Sequence, residues 1–195
     1  MADVARSRLP KRIALVTVGE THAFPSLMAN DFEDALGAYS EIGGTRPPAV
    51  LHSLEGEPVV DAVVIIFSAS DARLAEDLLA NLESKCLIYA LASDDTEDAK
   101  DAIRALDALK DACSKHGLSW RGGLAVPCRA WYEAHMAKPR MGSARRSLSE
   151  ATDDVVLALR CGNYAGVSVV KAPLRARIST PQDARSRLGA FPKRH

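Results

Sequence analysis

The sequence predicts an α/β domain built on a doubly wound, mostly parallel sheet. Three observations support this prediction. The chain has 195 residues, 47% of them hydrophobic and 26% charged, which fits one domain with a sizeable core. Short apolar runs alternate with segments of helical periodicity, and this alternation favours parallel strands joined by helical crossovers. The apolar runs are continuous, as in strands that are covered on both faces.

The first elements follow from local signals in the first fifty residues. Residues 1–11 are expected to form a loose leader, and residues 13–18, an apolar run rich in β-branched side chains, predict the first strand. A helix is expected from Ser26, which can serve as its N-cap, to about Ile42, where a glycine pair ends it. The apolar run is too short for a signal peptide or a membrane span.

The rest of the chain repeats the alternation. Further strands are predicted at about residues 49–54, 62–67, 86–91 and 118–126, and further helices at about residues 72–82, 97–116 and 143–160. A long loop is expected at residues 127–142, and an irregular segment follows Gly162. The predicted fold has three layers around five parallel strands in the order 2-1-3-4-5, a common doubly wound arrangement.

Charge is distributed unevenly along a chain whose net charge is zero. Residues 163–195 carry seven basic residues and one acid, which gives +6, so residues 1–162 carry −6. We expect three parts: the leader at 1–11, a domain at 12–162 and a basic tail at 163–195. The tail is open to four interpretations: a solvated segment, a clamp on the acidic body, a subunit contact or a phosphate-binding edge. The balanced total does not suggest a nucleic-acid partner.

Cysteine and histidine usage argues against disulfides and metals. The cysteines form no CxxC pair and the five histidines have no second ligand at helical spacing; the four cysteines are Cys86, Cys113, Cys128 and Cys161. Reduced thiols and the lack of a membrane-spanning run favour a cytoplasmic protein without a membrane partner. Metal chemistry is therefore not expected.

Ligands of doubly wound sheets bind beyond the carboxyl ends of the strands, at the point where strand order reverses. In this chain the loops at that point are residues 19–26, 68–71 and 92–96. The first loop leads into a helix N-terminus, whose N–H groups and dipole favour a phosphate, and its hydroxyl and imidazole side chains add donors. Neither a GxGxxG fingerprint nor a GxxxxGK[ST] loop is present, so a dinucleotide fingerprint and a P-loop are excluded.

The segment at residues 115–125 reads KHGLSWRGGLA, and a predicted helix that closes at Gly162 follows it. Over about residues 12–165 the chain resembles the flavodoxin-like NAD(P)H-dependent FMN reductases, the flavin- and quinone-reductase branch of that fold. The resemblance implies an FMN cofactor, NAD(P)H as co-substrate, a quinone, flavin or similar small-molecule acceptor, and a homodimer. The flavin would carry the hydride transfer, and no residue is assigned as a catalytic acid or base.

The resemblance also implies a cofactor site made of loop residues and one aromatic residue: Gly19, Thr21, His22, Ser26, Ser68, Ala69, Ser70, Ser93 and Trp131. Trp131 is open to two interpretations: an aromatic surface for the flavin, or a residue that pins the long loop onto the core. The same loops depart from the family pattern. Glu20 stands in the first loop, residues 68–71 carry no aromatic side chain, and Asp94 and Asp95 place carboxylates where a reduced flavin is negative. A second interpretation therefore stands beside the first: a flavodoxin-like domain that has lost flavin and acts as a binding or oligomerisation module.

Two smaller sets of residues carry alternative chemistry. Ser68, His52 and Asp94 are the members of a conceivable hydrolytic triad, although no GxSxG elbow is present. Arg140, Arg145 and Arg146 flank the start of the last predicted helix and are interpreted either as a clamp for an anionic cofactor or as solvated surface.

Overall fold

Six parallel strands form one sheet in the computed structural model, which describes residues 10–19, 22–56, 59–82 and 86–173. The strands are β1 (Arg12–Val18), β2 (Ala49–Leu51), β3 (Ala62–Ser68), β4 (Leu87–Ser93), β5 (Ser119–Val126) and β6 (Gly166–Val169). Their order across the sheet is β2-β1-β3-β4-β5-β6. The flavodoxin-like order predicted for the first five strands is confirmed, and the prediction of five strands is corrected to six.

Helices cover both faces of the sheet. The α-helices are α1 (Phe24–Ile42), α2 (Ala72–Leu79), α3 (Lys100–Lys115), α4 (Arg129–His135) and α5 (Arg146–Cys161). One core cluster joins the sheet to α1, α4 and α5, and a second cluster joins the opposite face to α2 and α3. None of the helices described is both long enough and apolar enough to cross a bilayer.

The most deeply buried strand is β3, in which all seven residues are buried. Val64 and Ile66 belong to the core cluster on the α1 side, whereas Val63 and Ile65 belong to the cluster on the α3 side. This two-residue period explains why the strand reads as a continuous apolar run: each of its faces needs apolar side chains.

The sixth strand lies in the segment that the sequence predicts as irregular. It pairs with β5, with Gly122 opposite Gly166. Gly122 has φ +139, and a Cβ at this residue would overlap the backbone of Gly166, so the two strands approach closely because no side chain stands between them. A strand of four residues is too short for a two-residue period to be recognised in the sequence.

The chain leaves β6 from a fixed position. Val170 donates its N–H to the carbonyl of Ala125 at 2.9 Å. The carbonyl of Lys171 then accepts hydrogen bonds from the hydroxyls of Tyr132 at 3.1 Å and Ser147 at 3.2 Å. The segment after β6 is therefore tied to the middle of α4 and to the beginning of α5.

Several predicted helix boundaries are corrected. The sequence predicts Ser26 as the N-cap of the first helix, but α1 begins at Phe24 with Ala23 as its N-cap, because Pro25 with its fixed φ is suited to a first helical turn. The loop predicted at residues 127–142 contains α4, and the last helix begins at Arg146 instead of residue 143.

Candidate functional site

The carboxyl ends of three neighbouring strands bring predicted site residues together. Val18 at the end of β1 pairs with Phe67, and Ser68 at the end of β3 pairs with Ser93 at the end of β4. Gly19 follows Val18 directly. Strand order reverses between β1 and β3, since β2 lies on the other side of β1. Three of the predicted residues thus surround the point where doubly wound sheets bind ligands.

A carboxylate lies against this switch point. Gly19 has φ +84, and a Cβ at this residue would overlap the side chain of Asp71. Asp71 ends the 3₁₀ turn Ala69–Asp71 that follows β3, and it precedes α2 without making a side-chain capping hydrogen bond. The Asp71 carboxylate therefore contacts the backbone of the first loop, in the place where that loop would approach a phosphate.

The N-terminus of α1 offers fewer donors than the sequence predicts. No side-chain hydrogen bond caps it, and Pro25 in its first turn has no N–H. Ser26 is exposed within this turn, His22 is half-buried in the loop, and Thr21 lies outside the described residues.

The serines at the ends of β3 and β4 belong to the sheet. The hydroxyl of Ser93 donates to the carbonyl of Phe67 at 3.3 Å, and its residue is 2% exposed. Ser68 is also buried, Ala69 is half-buried and Ser70 is exposed. The Ser93 hydroxyl is thus used within the sheet, and Ser68 is only 6% exposed, so both are poorly placed to donate to a bound cofactor.

Asp94 fills the N-terminus of α3. Its carboxylate accepts the N–H groups of Thr96 at 2.9 Å and Asp101 at 3.0 Å, and the hydroxyl of Thr96 at 2.8 Å. Burial acts to raise the pKa of Asp94, but the hydrogen bonds from Thr96, Asp101 and Ala102 together outweigh it, so its pKa lies below the usual value. The helix end that would attract an exogenous anion is thus occupied by the chain's own carboxylate.

A buried arginine joins the loop after β4 to the start of α4. The guanidinium of Arg129 donates to Asp95 at 3.0 Å and to Glu133 at 2.9 Å. Its backbone N–H donates to the carbonyl of Asp94 at 2.8 Å, and the N–H of Cys128 donates to the carbonyl of Thr96 at 3.0 Å. The cation of Arg129 is paired with two carboxylates, so it is already compensated and does not attract a cofactor phosphate.

Trp131, the aromatic residue of the predicted cofactor site, makes its contacts within the chain. Trp131 lies on α4, where its indole N–H donates to the carbonyl of Ala144 at 3.4 Å. Its ring stacks on His135 with centroids 4.1 Å apart, and it packs against the core cluster shared with α1 and α5. The adjacent Tyr132 is fully buried. Trp131 therefore holds α4 against the core, which is the second of the two roles open to it from the sequence.

Arg140 and Arg145 pair with carboxylates of the chain itself, whereas Arg146 is exposed, as the surface interpretation expects. Arg145 is 4% exposed and pairs with Asp31 of α1, and it also donates to the carbonyl of Met136. Arg140 contacts both Asp31 and Asp153. The sequence does not reveal this network because the paired residues are far apart along the chain.

The three residues of the conceivable hydrolytic triad, Ser68, His52 and Asp94, each have other surroundings and do not form a triad. His52 is exposed and lies 3.3 Å from Glu33, Asp94 caps α3, and Ser68 is buried in the sheet. Within the described parts of the chain, no three His, Cys, Asp or Glu side chains are grouped closely enough to hold a metal ion.

Comparison with known proteins gives little further information. No protein-family model matches the sequence, and no curated protein matches it. Among solved structures, the chain is similar to a short-chain flavodoxin associated with a non-canonical PDU bacterial microcompartment. The TM-score is 0.44 and the identity 12%, covering 64% of this chain and 93% of that chain. The assignment of a flavodoxin-like fold therefore rests on the strand order and the helix layers of the chain itself.

The strand ends do not fit FMN. Its phosphate would meet the carboxylate of Asp71 at the first loop, and its ring would find Asp95 near the third loop and no aromatic side chain in residues 68–71. Trp131, the predicted aromatic residue, is half-buried and packs against the core cluster. The acidic character of this edge is present in the sequence, since Asp71 ends the second loop and Asp94 and Asp95 lie within the third.

Proposed function

We propose that this chain is a flavodoxin-like domain that has lost FMN binding and acts as a binding module. The observation that carries the proposal is the Asp71 carboxylate against Gly19 at the switch point. A phosphate in this place would be repelled by a carboxylate at contact distance. The nearby cation, Arg129, is already paired. Because the carboxylate of Asp71 lies at this edge, the module is expected to take an uncharged or cationic ligand.

The second candidate is an FMN-dependent NAD(P)H oxidoreductase that reduces quinones, flavins or similar small acceptors. It is supported by the strand order and by Gly19, whose positive φ at the end of β1 suits a close approach of the backbone to a ligand. For this candidate, the side chain of Asp71 would have to turn away from Gly19.

Titration with FMN separates the two candidates. The purified chain is mixed with FMN up to millimolar concentration while flavin fluorescence and the melting temperature are followed. We expect neither quenching nor a thermal shift. A real site would be evident, since ligand at a hundredfold excess over Kd stabilises a protein by about 2.7 kcal/mol. Saturable quenching by the unmodified chain, together with FMN-dependent oxidation of NAD(P)H, would instead establish the reductase.

A pair of variants tests whether the carboxylate is the cause. Asp71→Asn removes the charge and keeps the shape, so we expect it to gain weak FMN binding. Asp77→Asn removes a carboxylate further along α2 and serves as the matched control, for which no gain is expected. Equal FMN binding by both variants would contradict the role given to Asp71.

A further inference from the structure

A groove lies at the amino-terminal ends of β1 and β2, at the opposite end of the sheet from the switch point. Its larger part has a volume of about 790 Å³ and its smaller part about 150 Å³. The two parts adjoin, because Pro10, Thr45 and Arg46 line both of them. Pockets that hold small molecules have volumes of about 300–1,000 Å³, so the groove is large enough for a ligand.

The charged side chains that line the groove are all basic. Lys11 lines the larger part, Arg160 lines the smaller part and Arg46 lines both. Within the part of the chain that the structure describes, no carboxylate lines the groove or forms an ion pair with these three cations. Because residues 1–162 as a whole carry a charge of −6, the groove is a local positive region on an acidic domain.

Hydrogen bonds hold the segment between α1 and β2, which forms one wall of the groove. The hydroxyl of Thr45 accepts a hydrogen bond from the guanidinium of Arg160 at 2.7 Å. The N–H of Ala49 donates to the carbonyl of Lys11 at 2.8 Å. Between these two anchors, consecutive prolines at residues 47 and 48 restrict the backbone. A wall held in this way is preorganised, which lowers the cost of binding a ligand.

The three cations differ in their freedom to bind an anion. The guanidinium of Arg160 lies against Gly43, the residue after α1, where the last carbonyls of the helix carry partial negative charge. Arg160 is therefore a fixed side of the groove whose charge is partly compensated. Arg46 is exposed and lines both parts, so it is the cation best placed to bind an anion.

The charge of the whole domain favours a small anion over a large one. Charges in water are screened over about 8 Å at physiological ionic strength, so a small molecule in the groove interacts mainly with the lining residues. A nucleic acid or an acidic protein surface would also meet the negative charge of the rest of the domain and would be repelled by it. The ligand is therefore expected to be a small molecule.

The terminal segments of the chain itself do not suit the groove by charge. Residues 1–9 contain two arginines and one aspartate, and residues 174–195 contain six basic residues and one aspartate. Segments with a net positive charge are repelled by three cations, so the ligand is expected to come from outside the chain.

We propose that the groove binds a small organic diphosphate. The three cations are distributed over both parts of the groove, so two linked phosphate groups can contact more of them than one phosphate can. Arg46 binds phosphate oxygens through its planar guanidinium, while Lys11 and Arg160 supply charge in the larger and the smaller part. The organic body contacts the apolar wall to which Pro47 and Ala49 contribute. This site is independent of what the switch point binds.

Calorimetric titration of the full chain with ADP tests the proposal, with AMP and inorganic pyrophosphate as comparison ligands and no Mg²⁺ present. We expect ADP to bind at least about tenfold more tightly than AMP, which has one phosphate, and than pyrophosphate, which has no organic body. No detectable binding of ADP at millimolar concentration would overturn the proposal. Equal affinity for ADP and AMP, or for ADP and pyrophosphate, would overturn the assignment of an organic diphosphate.

A pair of double variants locates the site. Lys11→Gln/Arg46→Gln removes two cations of the groove, and its affinity for ADP is expected to fall at least about tenfold. Lys110→Gln/Lys115→Gln is the matched control, since it removes two exposed lysines of α3, and its affinity should be unchanged. All four side chains are exposed, so both variants are expected to fold. An equal loss in the two variants would show a general attraction of anions to the chain, and would overturn the proposed site.

The result can be distinguished from the FMN titration of the switch point. FMN has a single phosphate, so we expect it, like AMP, to bind the groove weakly. Any FMN bound in the groove would be lost in Lys11→Gln/Arg46→Gln, whereas FMN bound at the switch point would be retained in that variant.

Cys161 gives a second readout of the position of the ligand. It lines the smaller part of the groove and is exposed, whereas the other three cysteines are buried. Its reaction with 4,4′-dithiodipyridine, an uncharged reagent, is expected to slow at least about threefold at saturating ADP, because the ligand limits access to the thiol. An unchanged rate would contradict a ligand that extends over both parts of the groove.

Discussion

Arg145 and Asp31 form a buried ion pair that joins the residue before α5 to the middle of α1. Arg140, which is more exposed than Arg145, joins the same network because it contacts Asp31 and also Asp153 of α5. The four charges sum to zero. Because a buried charge is tolerated only when it is compensated, this network holds residues 136–145 against α1 and α5.

Replacement of Arg145 by Met is expected to destabilise the protein by about 3–5 kcal/mol, because it leaves the buried carboxylate of Asp31 short of a partner. Urea denaturation measures the loss. Arg146→Met is the matched control: its guanidinium is exposed and lies 3.7 Å from Glu150, so a change within about 0.5 kcal/mol is expected. Similar losses in the two variants would contradict the buried network.

A double-mutant cycle examines the contact between Gly19 and Asp71. Gly19→Ala is expected to destabilise the protein through the positive φ, by about 1–2 kcal/mol, and through overlap with the Asp71 carboxylate. In an Asp71→Ala background only the backbone cost remains, so Gly19→Ala should destabilise less. Thermal denaturation of the four proteins gives the coupling energy. Additive effects would show that the two residues do not touch in solution.

The pH dependence of stability provides a test of Asp94. Its pKa is lower in the folded protein than in the unfolded chain, where an aspartate has a pKa of about 3.9. The ionised carboxylate therefore contributes stability above that pH, and this contribution is lost as pH falls through the folded pKa. We expect Asp94→Asn to be less stable than the native chain at pH 7 and the difference to shrink below about pH 4. Asp107→Asn, exposed on α3, should show neither effect.

Removal of the Tyr132 hydroxyl should loosen the segment after β6. Tyr132→Phe deletes the hydrogen bonds to Ser147 and to the carbonyl of Lys171, and a loss of about 1 kcal/mol is expected. Faster hydrogen exchange at Val170 should accompany it, as mass spectrometry of short peptides can show. Tyr164→Phe, whose residue is 63% exposed, is the control. Unchanged exchange at Val170 would mean that Ser147 alone is a sufficient anchor.

The sequence predicts the elements whose signals are local and misses those that are short or depend on distant partners. The strands β1 and β3 follow from continuous apolar runs because each is buried on both faces. By contrast, α4 has seven residues and β6 has four, too few for a clear period.

Some features of the candidate site can be predicted from the sequence and others cannot. Its position at the strand ends and the acidic character of its loops can be predicted, since both follow from residue order. The contact of Asp71 with Gly19 cannot, because it depends on a backbone angle. The pairing of Arg145 with Asp31 cannot either, because those residues are 114 positions apart.

The close approach of Gly122 to Gly166 joins two parts of the sheet, β1 to β5 and β6, that emerge at different times during synthesis. During synthesis, β1 to β5 and all five helices emerge before β6, and they already contain both core clusters except for Ala165 and Val170. A side chain at residue 122 is therefore expected to break the pairing of β6 with β5, and the positive φ of Gly122 adds strain within β5 itself.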